Sequence, residues 1–149
     1  MKPTFSHLDA QGAAHMVDVS AKPVQYRRAS ASGTLVCARS TLRALQAQAL
    51  PKGDVLAVAR VAGIQAAKRT AELIPLCHPL PLHQVTVDFV PHVDRIEIRA
   101  TAVTEGKTGV EMEALTAVSV AALSLYDMMK AVDKTMRIEG VTLVAKEKR

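Results

Sequence analysis

Three charged residues near position 130 have a spacing that would bring them onto one face of a helix. Asp127, Lys130 and Lys134 are separated by three and then four residues, and residues spaced in this way are neighbours on a helix surface. A carboxylate beside two amines can take part in proton transfer. Taken singly, each charge is more simply interpreted as a solvated helix end. The cluster as a whole, beside a long uncharged run, is harder to explain in that way.

Two other stretches hold reactive side chains in constrained loops. Lys52 stands between a proline and a glycine, in a constrained loop where a lysine could act as an acid or a base. A solvent-exposed turn lysine is the simpler interpretation. Cys77 and His78 lie in the segment IPLCHPLPL (74–82), whose three prolines exclude a helix or a central strand. His78 is as well suited to contacting a ligand or carrying a proton as to making a structural hydrogen bond.

Neither a metal site nor a phosphate loop is completed by these residues. A zinc site needs three or four ligands at usable spacing, and no other histidine supplies the missing ones to Cys77 and His78. The segment EGKTG (105–109) resembles the end of a phosphate loop, but Thr101 occupies the position where that motif requires glycine. A glycine-bounded turn before a helix explains the segment, although its backbone amides could still bind an anion.

Composition predicts one globular domain, residues 1–149, with an anionic small-molecule partner. The net charge of +5 favours a phosphate-bearing ligand or nucleic acid. Tryptophan is absent, and two phenylalanines and two tyrosines are few for the aromatic platforms that hold single-stranded nucleic acid. No uncharged apolar run reaches the length of a membrane span, and the first residues, MKPTFSHLD, lack the apolar segment of a signal peptide. With two cysteines that suggest no disulfide framework, we expect a cytoplasmic protein.

Hydrophobic periodicity and helix-breaking residues predict the elements that position these side chains. The predicted order is an irregular arm (1–21), a strand (23–38), a helix capped by Ser40 (41–50), a helix from Asp54 to about residue 74, a hairpin (85–89 and 96–101), a long helix (107–134), a strand with a bulge at Gly140 (138–144) and a solvated tail (146–149).

This order predicts an α+β fold with a ferredoxin-like antiparallel sheet and helices packed on one face. Small residues on the helix that begins at Asp54, Gly63 among them, predict a close helix–helix contact. In the last helix, Glu113 and Asp127 are fourteen residues apart, or roughly 21 Å along a straight helix. One small ligand cannot contact both, so either they serve different purposes or two copies of the chain each contribute one.

Six segments together resemble one protein family, in a single register that covers nearly the whole chain. The resemblance is to the molybdenum cofactor biosynthesis protein C (MoaC) family, the cyclic pyranopterin monophosphate synthases. The segments are HMVDVS (15–20), KGDV (52–55), AGIQAAKRT (62–70), LIPLCHPL (73–80), GKTGVEMEALTA (106–117) and YDMMKAVDK (126–134).

The resemblance implies an enzyme that rearranges 3′,8-cyclo-7,8-dihydro-GTP to cyclic pyranopterin monophosphate with loss of pyrophosphate. It also implies a homohexamer, a trimer of dimers, with sites at the dimer interface and no cofactor or metal. Catalytic roles would fall on Asp127, Lys52 and Lys130. Substrate-binding positions would fall on Leu76, Cys77, His78, Met112, Glu113, Glu111, Lys68, Asp18 and Lys22.

Two alternatives belong to other classes of protein. A basic ferredoxin-like sheet could bind RNA, but it would need stacking aromatics on its central strands, and the predicted strand residues Val85, Val87, Ile96 and Ile98 are aliphatic. A non-catalytic scaffold protein could be built on the same helices. Turnover of the cyclised GTP intermediate would separate the enzyme from both.

Overall fold

A computed structural model describes residues 5–149. All the predicted strands and helices are present, with shifted bounds and one additional short helix. Residues 1–4, where the predicted N-terminal arm begins, lie outside the described part of the chain. In order, the elements are β1 (Gln25–Val36), α1 (Arg39–Gln46), α2 (Val55–Lys68), α3 (Thr70–Leu73), β2 (Leu82–Pro91), β3 (Arg95–Gly106), α4 (Glu111–Met129) and β4 (Arg137–Lys148).

The four strands form one antiparallel sheet in the order β2-β3-β1-β4. Alternate residues of central strand β1, such as Ala29, Ala31 and Leu35, are buried, because side chains along a strand point to opposite faces in turn. Helices α2 and α4 cover that face. The predicted α+β fold with a ferredoxin-like sheet is therefore confirmed.

Helix α4 forms the centre of the core. Its buried residues recur on almost every turn, including Ala114, Ala117, Ala121 and Leu125 at 0% exposure. By length and composition alone α4 could cross a membrane, but 56% of that window is buried inside the fold, as expected of a core helix. The predicted span of 107–134 is wrong at both ends, because residues before Glu111 form a turn and the chain turns again after Met129.

The close contact predicted at Gly63 lies between α2 and α4. A Cβ atom at this position would stand 2.9 Å from the carbonyl oxygen of Ala117 and 3.2 Å from the Cβ atom of Ala121. Asp54 begins α2 as expected, since its side chain accepts a hydrogen bond from the Ala57 amide at 3.0 Å. The predicted continuous helix to residue 74 is wrong, because the backbone leaves helical geometry at Arg69.

Helix α1 is held at its N-terminus by a residue from the segment that follows α4. Ser40 is not the cap, because the N-cap position is Ala38. The carboxylate of Asp133 accepts hydrogen bonds from the Ala38 amide at 2.8 Å and the Thr41 hydroxyl at 2.9 Å. It also accepts two from Thr135. Asp133 is 5% exposed, so its carboxylate is enclosed among these hydrogen-bond donors.

Strand β4 is longer than predicted. The supposed solvated tail at 146–149 is wrong, because Lys146 and Lys148 pair with β1 and the strand continues to Lys148. The guanidinium of Arg149 lies 5.0 Å from the ring centroid of Tyr26. The predicted bulge is confirmed, since Gly140 has a φ of +66° at a shift in register opposite β1.

We expect Gly63→Ala to lower the free energy of unfolding by about 1–2 kcal/mol. Alanine is the better helix former by about 1 kcal/mol, but the added methyl would press on the main-chain oxygen of Ala117. Because backbone yields less than a side chain, we expect a cost of about 2–3 kcal/mol, the upper part of the typical range for overpacking. Urea denaturation measures the change. Gln65→Ala, an exposed site on the same helix, is the control and should shift stability by no more than about 0.5 kcal/mol. A Gly63→Ala chain as stable as the parent would show that α2 and α4 separate at little cost.

We expect Asp133→Asn to destabilise the fold by about 2 kcal/mol at neutral pH. Burial acts to raise the pKa of Asp133, but the hydrogen bonds from Ala38, Thr135 and Thr41 outweigh it and hold the pKa at about 2. A depressed pKa in the folded state stabilises the fold above the unfolded-state value, near 4, and this contribution is lost as pH falls towards 2.

The stability difference between the parent and Asp133→Asn should therefore shrink as the pH is lowered from about 4. Urea denaturation at several pH values measures it. Asp88→Asn, on an exposed strand position, serves as the control with little effect. A difference that stays constant with pH would mean that the charge of Asp133 does not stabilise the fold.

Candidate active site

Two lysines converge on one carboxylate at the C-terminal end of α4. Asp127 is in the last turn of that helix, Lys130 follows it, and Lys52 lies in the loop between α1 and α2. The Lys130 ammonium is 2.7 Å from one carboxylate oxygen of Asp127, and the Lys52 ammonium is 3.4 Å from the other. Lys52 also donates to the main-chain oxygen of Asp127 at 3.2 Å. We call these three residues the lysine–aspartate cluster.

The opposite charges in this cluster stabilise each other's ionised forms. Hydrogen bonds from Lys130 and Lys52, with their positive charges, lower the pKa of Asp127. The same contact raises the pKa of Lys130. At neutral pH Asp127 is therefore anionic and Lys130 is an ammonium. All three side chains are 44–58% exposed, so an incoming ligand can reach them without any rearrangement of the core.

A second group of predicted site residues lines a cavity of about 340 Å³ at the other end of α4. The proline-rich loop forms one wall and the first turn of α4 another. The residues of this cavity that the sequence had singled out are Leu76, Cys77, His78, Lys22, Glu111, Met112 and Glu113. His78 bonds the main-chain oxygen of Val17 through Nε2 at 2.6 Å, and this contact fixes the N-terminal arm beside the loop.

Glu113 is the buried acid of this cavity. It is 5% exposed, although glutamate is rarely buried in folded proteins. Burial raises the pKa of Glu113, its own backbone amide partly offsets the effect, and the charge of Glu111 raises it further. Burial also raises the pKa of the Cys77 thiol, with a smaller contribution from the charge of Glu113. The cavity therefore holds a carboxylate and a thiol that are both easier to protonate than in water.

The structure does not bring the two groups together within one chain. Helix α4 is continuous from Glu111 to Met129, so Glu113 and Asp127 remain roughly 21 Å apart along its axis. Two of the predicted residues line neither group. Lys68 ends α2 and is exposed, and Asp18 accepts a hydrogen bond from the Ser20 amide at 2.8 Å in a surface turn.

Sequence reasoning missed several charged side chains that make contacts near the first turn of α4. Lys107 donates to the main-chain oxygen of Ser20 at 2.6 Å, and Arg27 donates to the main-chain oxygen of Lys107 at 3.3 Å. Lys146 lies 3.5 Å from a carboxylate oxygen of Glu111. These contacts fasten the arm and β4 around the N-terminus of α4. In the sequence, the alternation of side chains at 141–146 indicates that Lys146 belongs to a strand.

Among residues 5–149, no group of three or more His, Cys, Asp or Glu side chains is arranged to hold a metal ion. The chemistry available to the described residues is proton transfer by Lys, Asp, Glu and His side chains, together with electrostatic binding of an anion.

Known proteins of one family are similar to this chain along most of its length. The family model described as the MoaC family matches residues 16–149. A cyclic pyranopterin monophosphate synthase of Chloroflexus aggregans is 61% identical over 144 residues, which cover 95% of this chain and 87% of the relative. The corresponding protein of Dinoroseobacter shibae is 58% identical, with 96% of this chain and 92% of the relative covered.

A third relative is cyclic pyranopterin monophosphate synthase 1 of Mycobacterium tuberculosis, 59% identical over 95% of this chain and 84% of its own length. Identity at this level over nearly full length is far beyond what a shared fold alone produces. The chain belongs to the MoaC family.

We expect Glu113→Gln to speed the alkylation of Cys77 by iodoacetamide. The thiolate is the reactive form, so removing a negative charge that raises the pKa of Cys77 increases reactivity by up to about tenfold per pKa unit. Mass spectrometry follows each cysteine separately. Cys37, buried and with its pKa raised to about 11 by burial and by Asp133 and Asp94, is the internal control and should stay slow.

Glu111→Gln, in the same helical turn, is the matched control for this substitution and should change the Cys77 rate less. If Glu113→Gln left Cys77 as slow as in the parent chain, the carboxylate would not act on the thiol.

Proposed function

We propose that this chain is a cyclic pyranopterin monophosphate synthase. It is a lyase of molybdenum cofactor biosynthesis that converts 3′,8-cyclo-7,8-dihydro-GTP to cyclic pyranopterin monophosphate and releases pyrophosphate. The observation that carries the proposal is the lysine–aspartate cluster. Its members, Asp127, Lys52 and Lys130, are the residues to which the family resemblance assigns catalysis, and both ammonium groups lie within 3.4 Å of the Asp127 carboxylate.

The cluster suits a reaction that opens a ring, rearranges it and closes a cyclic phosphate. Such steps require repeated proton transfers close to negatively charged phosphates. Because its pKa is raised, Lys130 stays an ammonium in the free chain and is suited to contacting a phosphate. Asp127 holds both ammonium groups in position until substrate arrives, which lowers the entropic cost of orienting them.

The cavity at the N-terminal end of α4 is the proposed substrate-binding part of the site. Its proline-locked loop presents Cys77 and His78 with little conformational freedom, and Lys22 adds a positive charge suited to a phosphate. The proposed substrate-binding set is Leu76, Cys77, His78, Met112, Glu113, Glu111, Lys68, Asp18 and Lys22. Lys68 and Asp18 lie outside this cavity in the isolated chain and would join the site only in an assembly.

We further propose that residues 1–149 act as one domain in a cytoplasmic homohexamer, a trimer of dimers with active sites shared between chains. Large apolar side chains on the outer surfaces of the two long helices support association. Val58 and Val61 on α2 are 49% and 54% exposed, and Leu123 on α4 is 58% exposed. Exposed apolar groups collected on neighbouring helices are typical of a protein–protein contact surface.

The RNA-binding alternative gains no support from the open face of the sheet. At its centre the Ser30 and Thr101 hydroxyls hydrogen-bond each other at 2.8 Å. Small polar side chains of this kind provide no surface on which bases could stack.

Lys52→Ala and Lys130→Ala should each reduce turnover of the cyclised GTP substrate by about 10²–10⁴-fold, the usual contribution of a general acid or base. The fold should be unaffected, because both side chains are exposed. Lys134→Ala is the control, since it removes the same charge from a residue that has no ion pair with Asp127 among the described contacts. Near-normal turnover of a folded Lys52→Ala or Lys130→Ala chain would remove that lysine from the mechanism.

Two inactive variants, Glu113→Ala and Asp127→Ala, should complement each other if sites are shared. In a mixed dimer one of the two sites has both residues intact, so random mixing restores about a quarter of the sites. The measurement is turnover after the variants are unfolded, mixed and refolded, with each variant refolded alone as a control. Mixed oligomers no more active than those controls would contradict the shared site.

A further inference from the structure

A groove of about 760 Å³ lies between α1 and the turn that joins β2 to β3. Three arginines line it, Arg39 and Arg43 from α1 and Arg95 from the start of β3, together with His92. It has no residue in common with the lysine–aspartate cluster or with the cavity beside the proline-rich loop. The function proposed above therefore leaves it unexplained.

The charges around this groove are not balanced. Arg95 pairs with its neighbour Asp94 at 2.9 Å. Within residues 5–149, the guanidinium groups of Arg39 and Arg43 take part in none of the ion pairs or side-chain hydrogen bonds. The two are four residues apart on α1, one above the other on the same face and roughly 6 Å apart along the axis. The groove thus presents two uncompensated positive charges side by side.

Both walls of the groove are fixed by contacts elsewhere. Leu42 and Leu45 anchor α1 in the core at 2% and 9% exposure, which turns Arg39 and Arg43 outwards. The opposite wall is tied to the end of β1 by a hydrogen bond from the Cys37 amide to the Asp94 main-chain oxygen at 3.0 Å. A site whose walls are already in place loses little entropy when it binds a ligand.

We propose that this groove binds a small phosphate-bearing anion carrying about two negative charges. Guanidinium groups are planar and present paired donors that match phosphate oxygens, and a cleft of one sign concentrates the opposite charge. The volume is within the range of small-molecule sites, and Pro91 and Val93 offer an apolar surface for an organic group. The anion is either free pyrophosphate or the phosphate of a nucleotide. This inference does not depend on the proposed catalytic function.

Calorimetric titration at fixed physiological ionic strength tests the proposal. The full chain carries Lys52→Ala and Lys130→Ala, which remove the catalytic cluster as a competing phosphate site, and is titrated with inorganic pyrophosphate and separately with GMP. Arg39→Gln with Arg43→Gln is then added. These substitutions keep helix-forming side chains but remove both charges. The matched control adds Arg69→Gln and Arg137→Gln, exposed arginines outside the groove.

We expect the Arg39 and Arg43 substitutions to weaken anion binding by about tenfold or more, because hydrogen bonds to charged groups are among the stronger ones. The Arg69 and Arg137 substitutions should weaken it by less than about twofold. Tighter binding of GMP than of pyrophosphate would identify a nucleotide, and the reverse a free anion. The proposal would be overturned if both pairs of substitutions weakened binding equally, or if the Arg39 and Arg43 substitutions did not weaken it. It would also be overturned if the chain that lacks the catalytic lysines bound neither anion. Should the α1 pair fail to fold, Arg95→Gln tests the same groove from its other wall, with the same expected loss.

Discussion

Helix α4 fixes the distance between the two halves of the site. It is continuous for 19 residues and buried along its length, so it cannot bend without disturbing the core. Glu113 belongs to the cavity at one end and Asp127 to the lysine–aspartate cluster at the other. Because the helix is rigid, it holds both carboxylates in fixed positions. For the same reason, one copy of the chain cannot contact a single small molecule with both of them. The proposed shared site follows from this constraint, because association of two chains is what could bring Glu113 of one copy to Asp127 of another.

Asp133 connects the end of α4 to the start of α1. Its hydrogen bonds with Ala38 and Thr41 hold α1 in place, and α1 leads into the loop that carries Lys52. Lys130 lies three residues before Asp133, so the hydrogen bonds of Asp133 also restrain the backbone next to Lys130. The geometry of the lysine–aspartate cluster thus depends on a buried carboxylate that does not touch the cluster. The same anchor positions Arg39 and Arg43 along the groove.

Periodicity and helix breakers were enough to predict the α+β architecture, the hairpin, the cap at Asp54 and the close approach at Gly63. These features depend on residues close in sequence or on residue size. Two of the errors involve long-range contacts. The end of α4 was misplaced because Asp133 bonds to α1, which lies about ninety residues earlier, and the last strand was shortened because its charged residues pair with β1.

For the site, the spacing of Asp127 and Lys130 predicted their contact, since the two share a helix face. The convergence of Lys52 on the same carboxylate could not be predicted from spacing, because it depends on how the α1–α2 loop folds back. The burial of Glu113 was missed for a similar reason. Nothing local distinguishes it from Glu111, whereas the proline-rich loop and the N-terminal arm cover it.

The central position of β1 has a consequence for how the chain folds as it is synthesised. β1 pairs with β3 on one side and with β4 on the other, and about a hundred residues separate the end of β1 from the start of β4. Contacts between such distant segments form slowly, since a long loop must close first. Until β4 has left the ribosome, one edge of β1 remains open to any extended chain nearby.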